Sequence, residues 1–203
     1  MLFGTLDFKG VFLALLLGYL IALLGGFNYL ALMLAFLFFS TVVTYTGEAK
    51  KKALGLFEEK RTSSNVFWNG LAPFIFLLFH APLAFIAATA ALLADKFASE
   101  LGVLEEEAIE LFTWKRQKAG KSGCVSLTGL LASFLGAALI AISAVPLFGL
   151  RWSQALAVAF LGFFGSLVDS AIGYFEERGL GSKGLTNFLA AFFAGLVPLL
   201  IGL

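Results

Sequence analysis

The chain has 203 residues, 60% of them hydrophobic, with 24 Phe, 13% charged residues and a net charge of +1. That is more apolar surface than a soluble domain of this size can bury, so the composition describes an integral membrane protein. The near balance of 14 Lys+Arg against 13 Asp+Glu leaves no basic domain standing apart and argues against nucleic acid as a partner, and the single cysteine, Cys124, excludes an intrachain disulfide.

Seven apolar segments follow in order, at 10–25, 28–46, 65–80, 82–101, 124–146, 152–175 and 185–203, each near the ~20 residues that cross a bilayer. The first begins after Asp7 and Lys9 and has no small-x-small cleavage site behind it, which reads as a retained span rather than a signal peptide. Gly25-Gly26 and His80-Ala81-Pro82 supply tight turns between consecutive spans, because glycine permits positive φ and proline disfavours helix at the residue before it. In the connection 47–64, Lys50-Lys51-Lys52 and Lys60-Arg61 read as topology signals and contacts to anionic lipid. In the connection 102–123, Glu105-Glu106-Glu107 and Glu110 mix with Leu104, Ile109, Leu111 and Phe112, which reads as a short interfacial helix.

These connections, the one at 176–184, the N-terminus and the adjoining helix ends carry every Lys and Arg except Arg151. The positive-inside rule then places the N-terminus in the cytoplasm and the C-terminus outside. The expected fold is an all-α polytopic bundle of about seven transmembrane helices in one domain, residues 1–203, with no appended soluble domain. Small residues recur in Gly129, Ser133 and Gly136 and in Gly162, Gly165, Ser166 and Gly173, which lets helix backbones approach closely.

Against this apolar background a carboxylate is conspicuous, since it costs about 2.5–3.5 kcal/mol at mid-bilayer on insertion scales and less nearer the interface. With the topology above, Asp95 and Glu100 on the fourth span and Asp169 on the sixth lie toward the cytoplasmic ends. Asn65 and Asn69 share one face of the third span, Ser122, Gly123 and Ser126 open the fifth, and Asn187 opens the seventh. The neighbours of Asp169 at helical spacing are Gly165, Ser166, Ile172 and Gly173, so a ligand can approach it closely. Carboxylates from two helices with amides and hydroxyls nearby match the oxygen ligands that Mg²⁺ shares with water and a substrate phosphate.

Between Thr113 and Gly123 the cations Lys115, Arg116, Lys118 and Lys121 stand among glycines whose backbone N–H groups can face an anion, which suits polyphosphate. Its Gly-Lys-Ser is not a P-loop, because Lys115 stands where the earlier glycine is required. Bland readings stay open here: Glu100 snorkelling or pairing with a base, Lys96 neutralising Asp95 as readily as meeting a phosphate, Asn65 and Asn69 as interhelical glue. His80 and Cys124 read as structural.

These residues resemble the integral membrane family that includes the eukaryotic transmembrane protein nineteen and the plant chloroplast phytyl-phosphate kinase. The resemblance rests on Asn65-x-x-x-Asn69-Gly70, the Ala-Asp-x-x-Ala-Ser-Glu-hydrophobic-Gly segment at 94–102, Thr113 through Gly123 with Val125-Ser126, Gly165-Ser166 with Asp169-Ser170, and Asn187-Phe188-Leu189. Lys96-Phe97 stands where the family carries Thr-Trp, and Cys124 replaces a glycine. The resemblance implies a Mg²⁺-dependent membrane kinase that passes a phosphoryl group from a nucleotide, CTP in the plant case, to an isoprenyl monophosphate. In that reading Asp95, Glu100 and Asp169 hold the metal. Lys115, Arg116, Lys118, Lys121, Ser122 and Gly123 meet phosphates, with Lys96, Ser166 and Ser170 beside them, and Asn65, Asn69 and Asn187 position nucleotide or acceptor. A CDP-lipid-type nucleotidyltransferase, a polyprenol kinase and, from another class, a small-ion transporter remain alternatives, and a homo-oligomer stays open.

Overall fold

The computed structural model describes residues 6–57 and 62–203. Asp7 caps helix α1 (Phe8–Gly25), its carboxylate accepting from the Gly10 N–H at 2.6 Å, and Gly26, at φ 82°, reverses the chain into α2 (Phe27–Tyr45). A short α3 (Glu48–Ala53) and α4 (Ser63–Leu78) follow. The chain then turns through His80 at φ 52° into α5 (Pro82–Gly102), where Pro82 sits at the first helical position and its missing N–H costs nothing. Three short strands, β1 (Glu107–Glu110), β2 (Arg116–Lys118) and β3 (Cys124–Val125), precede α6 (Leu127–Phe148), α7 (Trp152–Glu176) and α8 (Lys183–Ile201).

Six of these helices are long and apolar enough to cross a membrane: α1, α2, α5, α6, α7 and α8. The remaining apolar segment forms α4, whose 16 residues span about 24 Å at 1.5 Å per residue, short of the ~30 Å hydrocarbon core.

Helix α5 is the axis of the bundle. Ala84, Ala87, Ala88, Ala90, Ala91 and Ala94 are all buried, and glycines of three neighbouring helices close on this helix at Ala84, Ala90, Ala91 and Leu93. A Cβ on Gly136 of α6 would lie 2.7 Å from the Leu93 carbonyl. On α7, one on Gly162 would lie 2.8 Å from Ala90 Cβ and one on Gly165 2.6 Å from Ala91 Cβ. On α8, one on Gly195 would lie 2.7 Å from the Ala84 carbonyl. Apolar burial gives helices little reason to associate inside a membrane, so close backbone packing of this kind holds them together. The repeated small residues in the sequence are therefore contact points.

The connection after α5 departs from the expected interfacial helix. β1 pairs antiparallel with β2 (Glu107 opposite Lys118) and with β3 (Ile109 opposite Val125), giving a sheet in the order β2-β1-β3. Its exposure alternates at period two, with Ala108 buried between Glu107 and Ile109, and two return segments supply the hydrogen bonds that a lone helix would have made within itself. The bundle is thus helical with a small sheet at one end. The sheet also delays the next helix: residues 124 and 125 belong to β3, and α6 starts only at Leu127, capped by Ser126 Oγ accepting from the Gly129 N–H at 3.1 Å.

The lysines at 50–52 also differ from the expected lipid contacts. Lys51 is fully buried on α3, and Nζ donates to the Thr44 carbonyl and, at 3.3 Å, to that of Val43, which also accepts from the Thr46 N–H, capping the C-terminus of α2. Lys50 donates to the Leu104 carbonyl at 2.7 Å and Lys52 pairs with Glu48 at 2.5 Å. Lys60 and Arg61 lie outside the described residues.

Replacing Gly165 with alanine is expected to force α7 off α5 and destabilise the detergent-solubilised protein by about 1–3 kcal/mol, the usual cost of overpacking. Gly18→Ala, whose Cβ would stand 3.6 Å from Leu30, is expected to melt as wild type does. Equal thermal unfolding temperatures for the two variants would contradict this packing.

Candidate functional site

A cavity of about 110 Å³ opens between α5, α6 and α7 at the end of the bundle that carries the sheet, several times the space one water needs. Asp95 of α5 and Asp169 of α7 line it. Asp95 lies seven residues before the end of α5, Asp169 seven before the end of α7, and Ser133 six after the start of α6. At 1.5 Å per residue all three therefore stand at a similar depth, about 10 Å into the bundle. The two aspartate carboxyl groups are within hydrogen-bonding reach of each other, and the charge of Lys183, at the start of α8, bears on Asp169. Asp169, Ser166 and Ser133 are buried, and Ser99 and Ser170 complete the oxygen-rich wall.

The segment 119–126 roofs this cavity. Gly120 and Gly123 hold φ of 98° and 83°, a region that glycine enters without strain. A Cβ on Gly123 would lie 2.7 Å from Tyr174 Cα, and one on Gly173 3.1 Å from the Gly123 nitrogen. The loop thus rests directly on α7, and the Ser122 N–H, donating to Glu177 Oε1 at 3.0 Å, fixes it there. Burial, followed by the neighbouring Glu110 charge, pushes the Cys124 thiol up from its usual range. That shift disfavours the thiolate, the form in which a cysteine acts as a nucleophile.

Of the residues singled out in the sequence, Asp95, Asp169, Lys121, Ser122, Gly123, Ser166 and Ser170 come together around the cavity. Asn187 joins them from α8: with its nitrogen toward the carboxylate it donates to Asp169 Oδ2 at 3.2 Å and to the Lys183 carbonyl at 3.0 Å, and its other end meets the Asn69 amide at 3.2 Å. Asn69 therefore acts at one remove. With Asn65 it lines a second, mostly apolar cavity of about 120 Å³ between α1, α2 and α4.

Four cations and one carboxylate do not come to the cavity. Lys115, Arg116 and Lys118 are exposed on the β1–β2 hairpin, with Arg116 paired to Glu107 at 3.0 Å. Glu100 is enclosed by Lys51 at 2.7 Å, by Lys96 and by the Thr44 hydroxyl at 3.1 Å. Lys96 pairs with Glu100, one turn along α5. Among the described residues no group of three or more His, Cys, Asp or Glu side chains is placed to hold a metal ion. The acidic part of the site is a pair of aspartates.

Among the polar lining residues, Lys183, Ser99 and Ser133 are ones that sequence reasoning gave no role in a site. Ser133 had shown only as one member of a small-residue repeat. Lys183 had counted only as a charge in a connection, although Ser182-Lys183 has the form of a helix N-terminus and Ser182 does cap α8.

Two carboxyl groups within hydrogen-bonding reach of each other, that of Asp169 buried, concentrate negative charge that a cation can balance. Hydroxyls around them, with a lysine and glycine-held backbone on the far wall, suit a divalent cation carrying a phosphate. A bundle of span-length apolar helices with an oxygen-lined cavity at one end is a polytopic integral membrane protein. The chain belongs to the integral membrane protein DUF92 family, which residues 1–187 match. It is 34% identical over 204 residues to an uncharacterized membrane protein of Methanocaldococcus jannaschii, an alignment that covers 97% of this chain and 85% of that protein. No solved structure matches.

The Glu100 cluster separates scaffold from site. Lys51→Met takes one of two cationic partners from Glu100, leaving Lys96 and the Thr44 hydroxyl, and also leaves the Thr44 carbonyl unmet; it is expected to destabilise the protein by about 1–3 kcal/mol. Combining it with Glu100→Gln is expected to recover part of that loss in thermal unfolding. A single Lys51→Met variant as stable as wild type would contradict the enclosed pair.

Proposed function

We propose that this protein is a Mg²⁺-dependent membrane kinase that passes a phosphoryl group from a nucleotide, with CTP favoured, to an isoprenyl monophosphate. One observation carries the reading: Asp95 and Asp169 face each other inside a hydroxyl-lined cavity that a glycine-rich loop roofs and Lys121 and Lys183 flank. The family resemblance of the motifs at 65–70, 94–102, 113–126, 165–170 and 187–189 supplies the substrate class. The distribution of Lys and Arg supports placing the site at the cytoplasmic face.

The donor set fits Mg²⁺, since it offers two carboxylates and leaves the remaining positions to water and phosphate. Asp95 and Asp169 would hold the ion, which when bound neutralises charge that develops on the transferring phosphoryl group. Asn187 fixes the orientation of Asp169, and Asn69 backs Asn187. Lys121, Lys183 and the N–H groups of the loop at 120–123 take the phosphate oxygens. Glu100 serves the scaffold in this reading, as one half of the Lys51 latch.

In the reaction an oxygen of the lipid phosphate forms a bond to the terminal phosphorus of the nucleotide, while the bond from that phosphorus to the bridging oxygen breaks. The products are the lipid diphosphate and the nucleoside diphosphate. A phosphate acceptor is already largely ionised near neutral pH, so no strong general base is required, and positioning with charge neutralisation dominates. The buried side chains in the half of α5 away from the cavity, including Ala84, Phe85 and Ile86, carry no charge, and the hydroxyl among them, that of Thr89, is taken up by the Phe85 carbonyl, which supports an enzyme site at one end of the bundle over an ion path through it.

Purified protein in nanodiscs with labelled CTP, Mg²⁺ and phytyl or geranylgeranyl phosphate is expected to form labelled lipid diphosphate. Asp169→Asn is expected to reduce the rate by at least about 100-fold, in line with the loss of a group that stabilises the transition state. Absence of the diphosphate with wild type, or an equal rate with Asp169→Asn, would overturn the proposal. A CMP-bearing lipid with released pyrophosphate would show nucleotidyl transfer instead.

A further inference from the structure

Among the described residues, the hydroxyl of Ser133 is the buried side-chain polar group left without a hydrogen bond. Its Oγ is buried and unpartnered among the described residues, in a side chain only 1% exposed. Other helical hydroxyls in this chain solve the same problem locally: Thr44 donates to the Ser40 carbonyl, Thr89 to that of Phe85 and Ser143 to that of Leu139, each four residues back. Ser133 makes no such bond to Gly129 and instead lines the cavity shared by Asp95 and Asp169. Leaving a buried hydroxyl unmet is unfavourable, so the position is explained by a partner that arrives from outside the chain.

The surroundings define that partner. Ser133 stands on α6 at the depth of the two aspartates. The other walls carry Lys121, Lys183 and the backbone of the glycine loop. A buried hydroxyl on a residue that lines this space has an anionic oxygen as its natural acceptor. We propose that Ser133 Oγ donates a hydrogen bond to a phosphate oxygen of the ligand held between α5, α6 and α7, making it a binding residue from the one wall of the site that offers neither a charge nor a loop N–H. This inference rests on the phosphate chemistry of the proposed function and adds the contact through which α6 takes part. The phosphate belongs either to the nucleotide or to the lipid.

The test uses the opposite signs that binding and structural roles impose. Ser133→Ala removes an unsatisfied hydroxyl, so the ligand-free variant is expected to unfold in detergent at the wild-type temperature or above it. The same variant is expected to bind its phosphate ligand about ten-fold more weakly, as for a lost hydrogen bond to a charged group. Ser126→Ala, which removes the α6 cap, is expected to lower the ligand-free unfolding temperature and so serves as the structural contrast. Binding is measured separately with Mg²⁺ and CTP, with Mg²⁺ and geranylgeranyl phosphate, and with Mg²⁺ alone. Weakening confined to the first pair assigns the hydroxyl to the nucleotide, and weakening confined to the second assigns it to the lipid phosphate.

A lower ligand-free unfolding temperature with unchanged affinities would overturn the proposal, as would equal weakening of Mg²⁺ alone, which would give the hydroxyl to the ion's hydration shell. Should wild type bind Mg²⁺ and CTP yet transfer no phosphoryl group, the kinase reading falls while the Ser133→Ala affinities still decide this inference. Should wild type bind neither phosphate compound, both fall.

Discussion

The contact between Ala91 of α5 and Gly165 of α7 sets the geometry on which the rest of the site depends. Their missing bulk lets the two helices, which run in the same direction, pack backbone against backbone, with a Cβ on Gly165 only 2.6 Å from Ala91 Cβ. One helical turn further along each helix stands an aspartate, at 95 and at 169. Because both helices advance by the same rise per residue, fixing the first pair in contact brings the second pair face to face. A costly arrangement of two carboxylates is thus imposed by an apolar contact one turn away.

The acidic residues near this end of the bundle meet two different fates. Glu100 is satisfied within the chain: Lys51, Lys96 and Thr44 surround it and tie α3 to α5 and to the end of α2. Asp95 and Asp169 meet each other and, at Asp169, an asparagine amide and the field of Lys183. Lysines spent on the first cluster are not spent on the second. In the proposed function this division leaves the aspartates to an external cation and the neighbouring serines and loop amides to its phosphate.

Much of this was legible in the sequence, for physical reasons that can be named. Span-length apolar runs and turn residues such as Gly26 and Pro82 define the helices, and the cost of a carboxylate in such a run marks Asp95 and Asp169 before any coordinates. The sheet was not legible, because a strand as short as Glu107–Glu110 has no periodicity apart from the return segments that pair with it. Nor was the partner of Glu100, since Lys51 is 49 residues distant and a lysine run beside a span ordinarily reads as a topology signal. The cations at 115, 116 and 118 point away because β2 exposes Arg116 and Lys118 on the hairpin surface, a consequence of strand geometry that a loop reading cannot supply. Ser133 carried no sequence signal beyond its size, and only the absence of a back-bond to its own helix distinguishes it.

The most direct measurement is the anomalous scattering of Mn²⁺ in crystals of the protein grown with a non-hydrolysable CTP analogue. A single metal peak within ligand distance of both Asp95 and Asp169, with nucleotide phosphate against the loop at 120–123, is the expected result. A peak at Glu100 in place of the aspartate pair, or no metal between Asp95 and Asp169 with nucleotide bound, would contradict the assignment of these two carboxylates to one metal–phosphate site.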